Sequence, residues 1–106
     1  MKEQIFDYLK ESDRSVKRPE LLSHLRSLGF VCSDREMRAT IEEMIVHGRY
    51  LIRSSEMGYS AIRSKEEMEA AMKYLNAKAE AIAIRKNWLH RNWREVYKEE
   101  FQPTLF

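Results

Sequence analysis

The sequence has little cysteine, glycine and proline, and it has no long apolar run. Its single cysteine, Cys32, excludes an internal disulfide, and with only three scattered histidines it also argues against a zinc site. Three glycines and two prolines leave no low-complexity linker, and no internal repeat is visible. No stretch approaches the roughly 20 apolar residues that cross a bilayer, and Met1–Gln4 opens an amphipathic stretch rather than a signal peptide. We therefore expect no membrane contact and a cytoplasmic location.

What remains is a short, highly charged chain: 106 residues, 34% charged and 43% hydrophobic, with a formal net charge of +2. This size excludes multidomain enzymes and doubly wound nucleotide folds. The sequence contains no Gly-rich phosphate loop and no recognisable nucleophile motif, so we expect neither an enzyme nor a cofactor. His24 is interpreted as a helix-surface residue and Cys32 as a small packed residue at a turn. A ligand at His24 and a thiol activated by a helix N-terminus at Cys32 remain the alternatives.

Apolar spacing predicts three short helices in the first half of the chain. Residues 3–11 show the helical spacing of three and four, a second stripe follows Pro19 and ends at Gly29, and Ser33–Glu36 fits a capping box that opens a third helix. Gly48 is expected to close this third helix. Its predicted buried side chains are Met37, Ile41, Met44 and Ile45.

The periodicity then changes to that of a hairpin. Residues 50–54 and 59–63 are rich in β-formers, and Gly58 between them supplies a positive-φ position. A weak extended segment at residues 15–17 is expected to add a third strand. The pattern from Arg18 to Ile62, with Pro-Glu-Leu-Leu, Ser-Asp-Arg-Glu-Met-Arg-Ala-Thr-Ile-Glu-Glu-Met and Gly-Tyr-Ser-Ala-Ile, resembles biotin-repressor-like winged helix-turn-helix domains and small phage proteins that contain one.

This resemblance implies a mainly α fold with a small β-hairpin, in which the third helix reads the DNA groove. Its outward residues are then Arg35, Arg38, Ala39 and Glu42, and the two arginines reach guanines or phosphates. The cations of the hairpin and of the segment before the second helix hold the DNA backbone on either side. The expected DNA-binding set is Arg14, Lys17, Arg18, Arg35, Arg38, Glu42, Arg53 and Arg63. The alternative is ordinary surface charge, because residues 1–63 contain eleven Lys/Arg against ten Asp/Glu.

A second capping box at Ser64–Glu67 opens a helix with no breaker before Pro103. Apolar residues recur along it at alternating intervals of four and three, which is a heptad seam with one charged exception at Lys86. We expect this seam to form a coiled-coil homodimer. Helices broken near Asn76 or Asn87, folded back on the domain, are the alternative. The seam residues are Met68, Met72, Leu75, Ala79, Ile82, Lys86, Leu89, Trp93 and Val96.

Two features mark the end of the chain. Arg85, Lys86, Arg91 and Arg94, interleaved with Trp88 and Trp93, form a basic aromatic stretch that either contacts nucleic acid or is a solvated helix face. The last five residues, Gln102, Pro103, Thr104, Leu105 and Phe106, resemble the peptide by which bacterial polymerases and repair factors dock on the DNA sliding clamp. The match departs from the commonest form at Pro103, where leucine is frequent. Folding of Leu105 and Phe106 onto their own domain is the alternative.

The sequence is therefore interpreted as a winged-helix domain (1–63), a long helix (64–100) and a clamp-binding-like tail (101–106). The expected function is that of a small bacterial or bacteriophage DNA-binding protein, associated with replication and recruited to the sliding clamp by its tail. Two alternatives remain. One is a sequence-specific transcriptional regulator, and the other is a phage protein-interaction factor that occupies the host clamp. A phage protein would be located in the host cytoplasm.

Overall fold

The structure of the chain is a computed structural model and describes residues 1–102. Within them, the elements are α1 (Lys2–Glu11), α2 (Arg18–Ser27), α3 (Asp34–Val46), β1 (Ile52–Ser55), β2 (Gly58–Ala61) and α4 (Lys65–Tyr97). The expected mainly helical fold with a small hairpin and a long C-terminal helix is confirmed. The chain divides into two compact units, one of residues Met1–Met68 and one that begins at Glu69.

The first unit is built around one hydrophobic core. Each of the three short helices presents apolar side chains three or four positions apart, so that they share one face. Burying them removes apolar surface from water, which is the main force that holds such a small unit together. The fully buried side chains are Ile5, Leu9, Val16, Leu21, Leu25, Met37, Ile41 and Met44.

The helix ends follow the capping chemistry of the sequence in part. At α3, the Ser33 hydroxyl accepts from the Glu36 amide and the Glu36 carboxylate accepts from the Ser33 amide, which confirms the predicted capping box. At α4 only half of the second box forms, because Glu67 accepts from the amide of Arg63 rather than that of Ser64. α3 ends at Val46 with His47 as its C-cap, so the glycine expected to close the helix, Gly48, lies one residue beyond the cap. The residue with positive φ in this segment is Arg49 rather than Gly48.

The hairpin pairs β1 with β2 in antiparallel register, with Arg53 opposite Ser60 and Ser54 opposite Tyr59. The expected third strand is reduced to one residue, Val16, which exchanges two backbone hydrogen bonds with Tyr59 at 2.7 and 2.9 Å. Because α2 already begins at Arg18, the segment before it is too short to pair further. Gly58 makes this bridge possible: its φ is +115°, and a Cβ there would lie 2.2 Å from the Val16 carbonyl oxygen.

The second unit contains most of α4, a continuous helix of 33 residues. At 1.5 Å per residue it is about 50 Å long. The predicted single helix is therefore confirmed, and the alternative of a break near Asn76 or Asn87 is wrong. After Tyr97 the chain turns at Lys98, whose φ is 59°. Phe101 then packs against His90 and Trp93, with ring centroids 5.5 and 5.6 Å apart.

Candidate nucleic-acid interface

The outer face of α3 presents the residues expected to face DNA. Arg35, Arg38, Ala39 and Glu42 are all exposed, because Met37 and its neighbours at three- and four-residue spacing point into the core. Arg35 lies in the first turn of the helix. The face therefore offers two guanidinium groups and one carboxylate.

Asp34 connects α3 to the start of α2. Its Oδ2 atom lies 2.9 Å from Nε of Arg38, one turn along α3, and 3.6 Å from Nη1 of Arg18, the first residue of α2. All three side chains remain between about two-fifths and one-half exposed. Solvent screening makes such pairs weak, so the arginines can exchange this carboxylate for another anion.

A cleft of about 490 Å³ opens beside these arginines, between the start of α2 and the hairpin turn. We call it the hairpin cleft. Hydroxyl groups and cations line it, and one acid, Glu56, is also present. Its lining residues are Lys17, Arg18, Pro19, Ser54, Ser55, Glu56, Gly58 and Tyr59.

Tyr59 forms the inner wall of the hairpin cleft. Only 8% of the residue is exposed, and burial raises the pKa of its phenol above the usual value of 10.0. Arg18 and Arg38 act in the opposite direction on this pKa, whereas Asp34 and Glu42 raise it further. Across residues 1–102 no group hydrogen-bonds the Tyr59 hydroxyl.

Two cations on this side of the first unit have no acidic partner among residues 1–102: Lys17 in the cleft lining and Arg35 on the exposed face of α3. Both residues are exposed. Together with Arg18 and Arg38, they give this side of the first unit four positive charges. The opposing carboxylates are Asp34, Glu42 and Glu56.

The other expected DNA-contacting arginines lie elsewhere. Arg14, Arg53 and Arg63 line a second, smaller cleft of about 160 Å³, together with Asp13 and Glu67. The structure therefore separates the eight expected residues into two groups, and only the first adjoins α3.

Arg63 has a structural role that the sequence analysis did not anticipate. Its Nη2 atom donates to the carbonyl oxygen of Leu9 at 2.8 Å and also to those of Lys10 and Ser12. These carbonyls end α1, where the helix leaves acceptors unpaired and a cation is favoured by the helix dipole. Because this guanidinium already hydrogen-bonds the end of α1, Arg63 does not belong to the surface around α3.

Arg14 is also engaged within the first unit. Its Nη2 atom lies 3.0 Å from both carboxylate oxygens of Glu20, and the Tyr8 hydroxyl donates to the same carboxylate at 2.7 Å. These hydrogen bonds hold the pKa of Glu20 below its usual value and raise that of Tyr8. His24 is partly buried and stacks on Tyr8 at 4.0 Å between ring centroids.

The seam of α4 and the tail fall in the second unit. Leu75, Ile82, Leu89 and Val96 are each more than half exposed on the helix. Gln102 is exposed, whereas the rest of the clamp-binding-like motif, Pro103–Phe106, lies outside the described residues.

The cleft residues Ser54, Ser55 and Tyr59 were not expected from the sequence. The ion pairs of Asp34 with both Arg18 and Arg38 were not expected either. A local signal existed for Asp34, since Asp34 and Arg38 are spaced as an i,i+4 ion pair on one helix. For Tyr59 the β-forming run 59–63 was the available signal, but it does not indicate the cleft, because the other side of the cleft is formed by residues 17–19, which are distant in the sequence.

Among residues 1–102, no group of three or more His, Cys, Asp and Glu side chains could hold a metal ion. In the same part of the chain, no helix combines the length and the apolar character needed to cross a membrane. Comparison of the chain with family models, curated proteins and solved structures finds no match.

Proposed function

We propose that residues 1–63 are a winged helix-turn-helix module that binds double-stranded DNA, in a small replication-associated protein of bacteria or a bacteriophage. The observation that carries the proposal is the continuity of the donors around Arg18. This residue lines the hairpin cleft and also contacts Asp34, which holds Arg38 on the exposed face of α3. The start of α2, α3 and the hairpin thus contribute to one surface. The order of the elements, three helices followed by a hairpin, is the order expected of a winged helix.

In the proposed complex the cleft binds a backbone phosphate and α3 lies in the major groove. Lys17 and Arg18 supply charge to the phosphate, and the hydroxyls of Ser54, Ser55 and Tyr59 supply hydrogen-bond donors. Contacts of this kind fix the position of the protein but do not read sequence. Arg35, which has no acidic partner within residues 1–102, is the residue we assign to a guanine edge, and Glu42 to an amino group of cytosine.

The charge balance limits the affinity. Residues 1–63 have a net charge of +1, so little long-range attraction is available, and Arg18 and Arg38 must exchange Asp34 for phosphate. Binding is therefore expected to be weak at physiological salt and to fall steeply as salt rises, because phosphate contacts release counterions.

Fluorescence anisotropy with a labelled duplex tests this proposal. Lys17→Ala with Arg35→Ala is expected to lower the salt slope by about one unit for the lost phosphate contact, and loss of the Arg35 base contact is expected to cost about 1 to 3 kcal/mol. Lys10→Ala with Lys65→Ala removes the same number of charges outside the cleft and serves as the control. Equal loss of affinity in the two pairs would show that only net charge matters and would overturn the assignment.

The second part of the proposal is that residues 102–106 dock the protein on the sliding clamp. The support is chemical and comes from the sequence: Leu105 and Phe106 fill an apolar pocket, Gln102 hydrogen-bonds at its rim, and Pro103 reduces the entropy lost on binding. A short peptide of this kind is expected to bind with micromolar affinity, about −8 kcal/mol.

Calorimetric titration of a clamp with the protein tests the tail. Leu105→Ala with Phe106→Ala should abolish binding and leave thermal stability and DNA affinity unchanged. Equal clamp binding by both proteins, or a melting temperature lowered by several degrees, would contradict the docking role.

The same measurements separate this function from its alternatives. A transcriptional regulator would select a palindromic site from random duplexes and would be indifferent to the tail variant. A factor that only occupies the clamp would bind the clamp but not DNA, which the near-neutral charge of residues 1–63 favours.

A further inference from the structure

The seam from Met72 to Val96 is largely an exposed apolar face, in which Lys86 is charged and Trp93 is only partly exposed, with Tyr97 and Phe101 packed against it. Leu75 is 52% exposed, Ile82 64%, Leu89 61% and Val96 69%. Exposed apolar patches of this extent usually mark an interaction surface. We propose that this face packs against the same face of a second copy of the chain, with the two helices antiparallel.

The repeat of the seam identifies the kind of partner. Apolar residues at alternating intervals of four and three pack against a helix that has the same repeat, since each side chain then enters a hole formed by four others. A second copy provides that repeat by definition. The seam also borders a groove of about 460 Å³, which is lined by Ile82, Leu89, Trp93 and Phe101 of the same chain together with Arg85, Lys86 and His90.

Side-chain size decides the orientation. In a parallel pair in register each residue faces its own copy, so Ala79 faces Ala79 and leaves a void, whereas Trp93 faces Trp93 and is crowded. In an antiparallel pair that places Leu75 opposite Trp93, Ala79 lies opposite Leu89 and Ile82 opposite Lys86. Large residues then face small or medium ones, which is the arrangement that fills an interface without voids.

Charge leads to the same orientation. Residues 85–94 contain four cations and no acid, so a parallel pair would place this block beside itself. In the antiparallel pair it lies opposite residues 74–83, which contain one lysine, one glutamate and four alanines. Lys86 then lies along Ile82 of the partner, with its stem on apolar surface and its ammonium in water.

Light scattering of the full-length protein tests association. The expected mass is twice 12.7 kDa in the micromolar range. Leu75→Asp with Ile82→Asp should give monomers that keep their helical circular dichroism. Ala77→Asp with Ala81→Asp adds the same charges at exposed positions outside the seam and should remain dimeric.

Three outcomes would overturn association through the seam: a monomeric native protein, a native mass above a dimer, or dimers in the seam variant. A monomeric native protein whose truncation after Gln102 dimerises would assign the groove to residues 103–106 instead.

Disulfide trapping tests the orientation, in a background where Cys32→Ala removes the native thiol. Ala79→Cys and Leu89→Cys chains, given different tags and mixed, should form the mixed disulfide and little of either self-linked product. In the antiparallel pair two Leu89 positions are ten residues apart along the axis, about 15 Å, which is beyond disulfide reach. Self-linked Leu89→Cys dimers would show a parallel pair and would overturn the orientation.

Discussion

Gly58 is the position at which the addition of one methyl group is expected to destabilise the first unit most. Its φ of +115° is strained for any other residue, at about 1 to 3 kcal/mol, and the added Cβ would lie 2.2 Å from the Val16 carbonyl oxygen. The bridge between Val16 and Tyr59 must then open, which removes two backbone hydrogen bonds at about 1 kcal/mol each. Gly58→Ala is therefore expected to lower the free energy of unfolding by about 3 to 5 kcal/mol.

Gly29 provides the matched control. Its φ is +95°, but nothing lies within 4 Å of the Cβ it would receive, so Gly29→Ala should show the backbone strain without the collision. Urea denaturation of both variants, with hydrogen exchange in α1–α3 to follow the first unit separately from α4, should give a difference of about 2 kcal/mol between them. If Gly58→Ala costs no more than Gly29→Ala, the close approach of the hairpin to Val16 does not contribute to stability and the reasoning fails.

Three further predictions concern the helix ends and acid stability of the first unit. Arg63→Ala should destabilise α1 by about 1 to 2 kcal/mol in urea denaturation, with partial recovery in Arg63→Lys and little change in Lys65→Ala. Ser33→Ala should cost about 1 kcal/mol of unfolding free energy in the same assay, whereas Ser33→Asp should keep the cap. The pKa of Glu20 is lowered by hydrogen bonds from Arg14 and Tyr8, so its contribution to stability is complete above its usual value of 4.5 and disappears as pH falls through the folded pKa. Melting temperatures measured against pH should therefore fall less steeply in acid for Glu20→Gln than for the native chain, and parallel curves would contradict this.

The helices were predictable because their signals are local. Apolar spacing located α1, α2 and α3, and the Ser33–Glu36 pair located the start of α3. The continuity of α4 past Asn76 and Asn87 follows the weak helix-breaking tendency of asparagine. Each of these signals lies within a few residues of the element that it predicts.

What could not be predicted depends on contacts between distant parts of the sequence. Arg63 meets the carbonyl of Leu9 across 54 positions, and no periodicity within either segment indicates that pairing. The hairpin cleft likewise joins residues 17–19 to residues 54–59, so Tyr59 could be placed in a strand from the sequence but not in a cleft. The reduced third strand had a similar origin, because its length depends on where α2 begins.

The internal neutralisation of the arginines also bears on why a DNA-binding module would need a tail. Asp34 holds Arg18 and Arg38, and the net charge of residues 1–63 is only +1, so contact with duplex DNA alone is expected to be weak. A tail peptide of micromolar affinity is also weak alone. When both bind one clamp–DNA assembly, the second contact becomes intramolecular, and the combined affinity rises by about two to four orders of magnitude if the geometry permits both. In the proposed function, the near-neutral charge thus restricts stable binding to DNA that already holds a clamp.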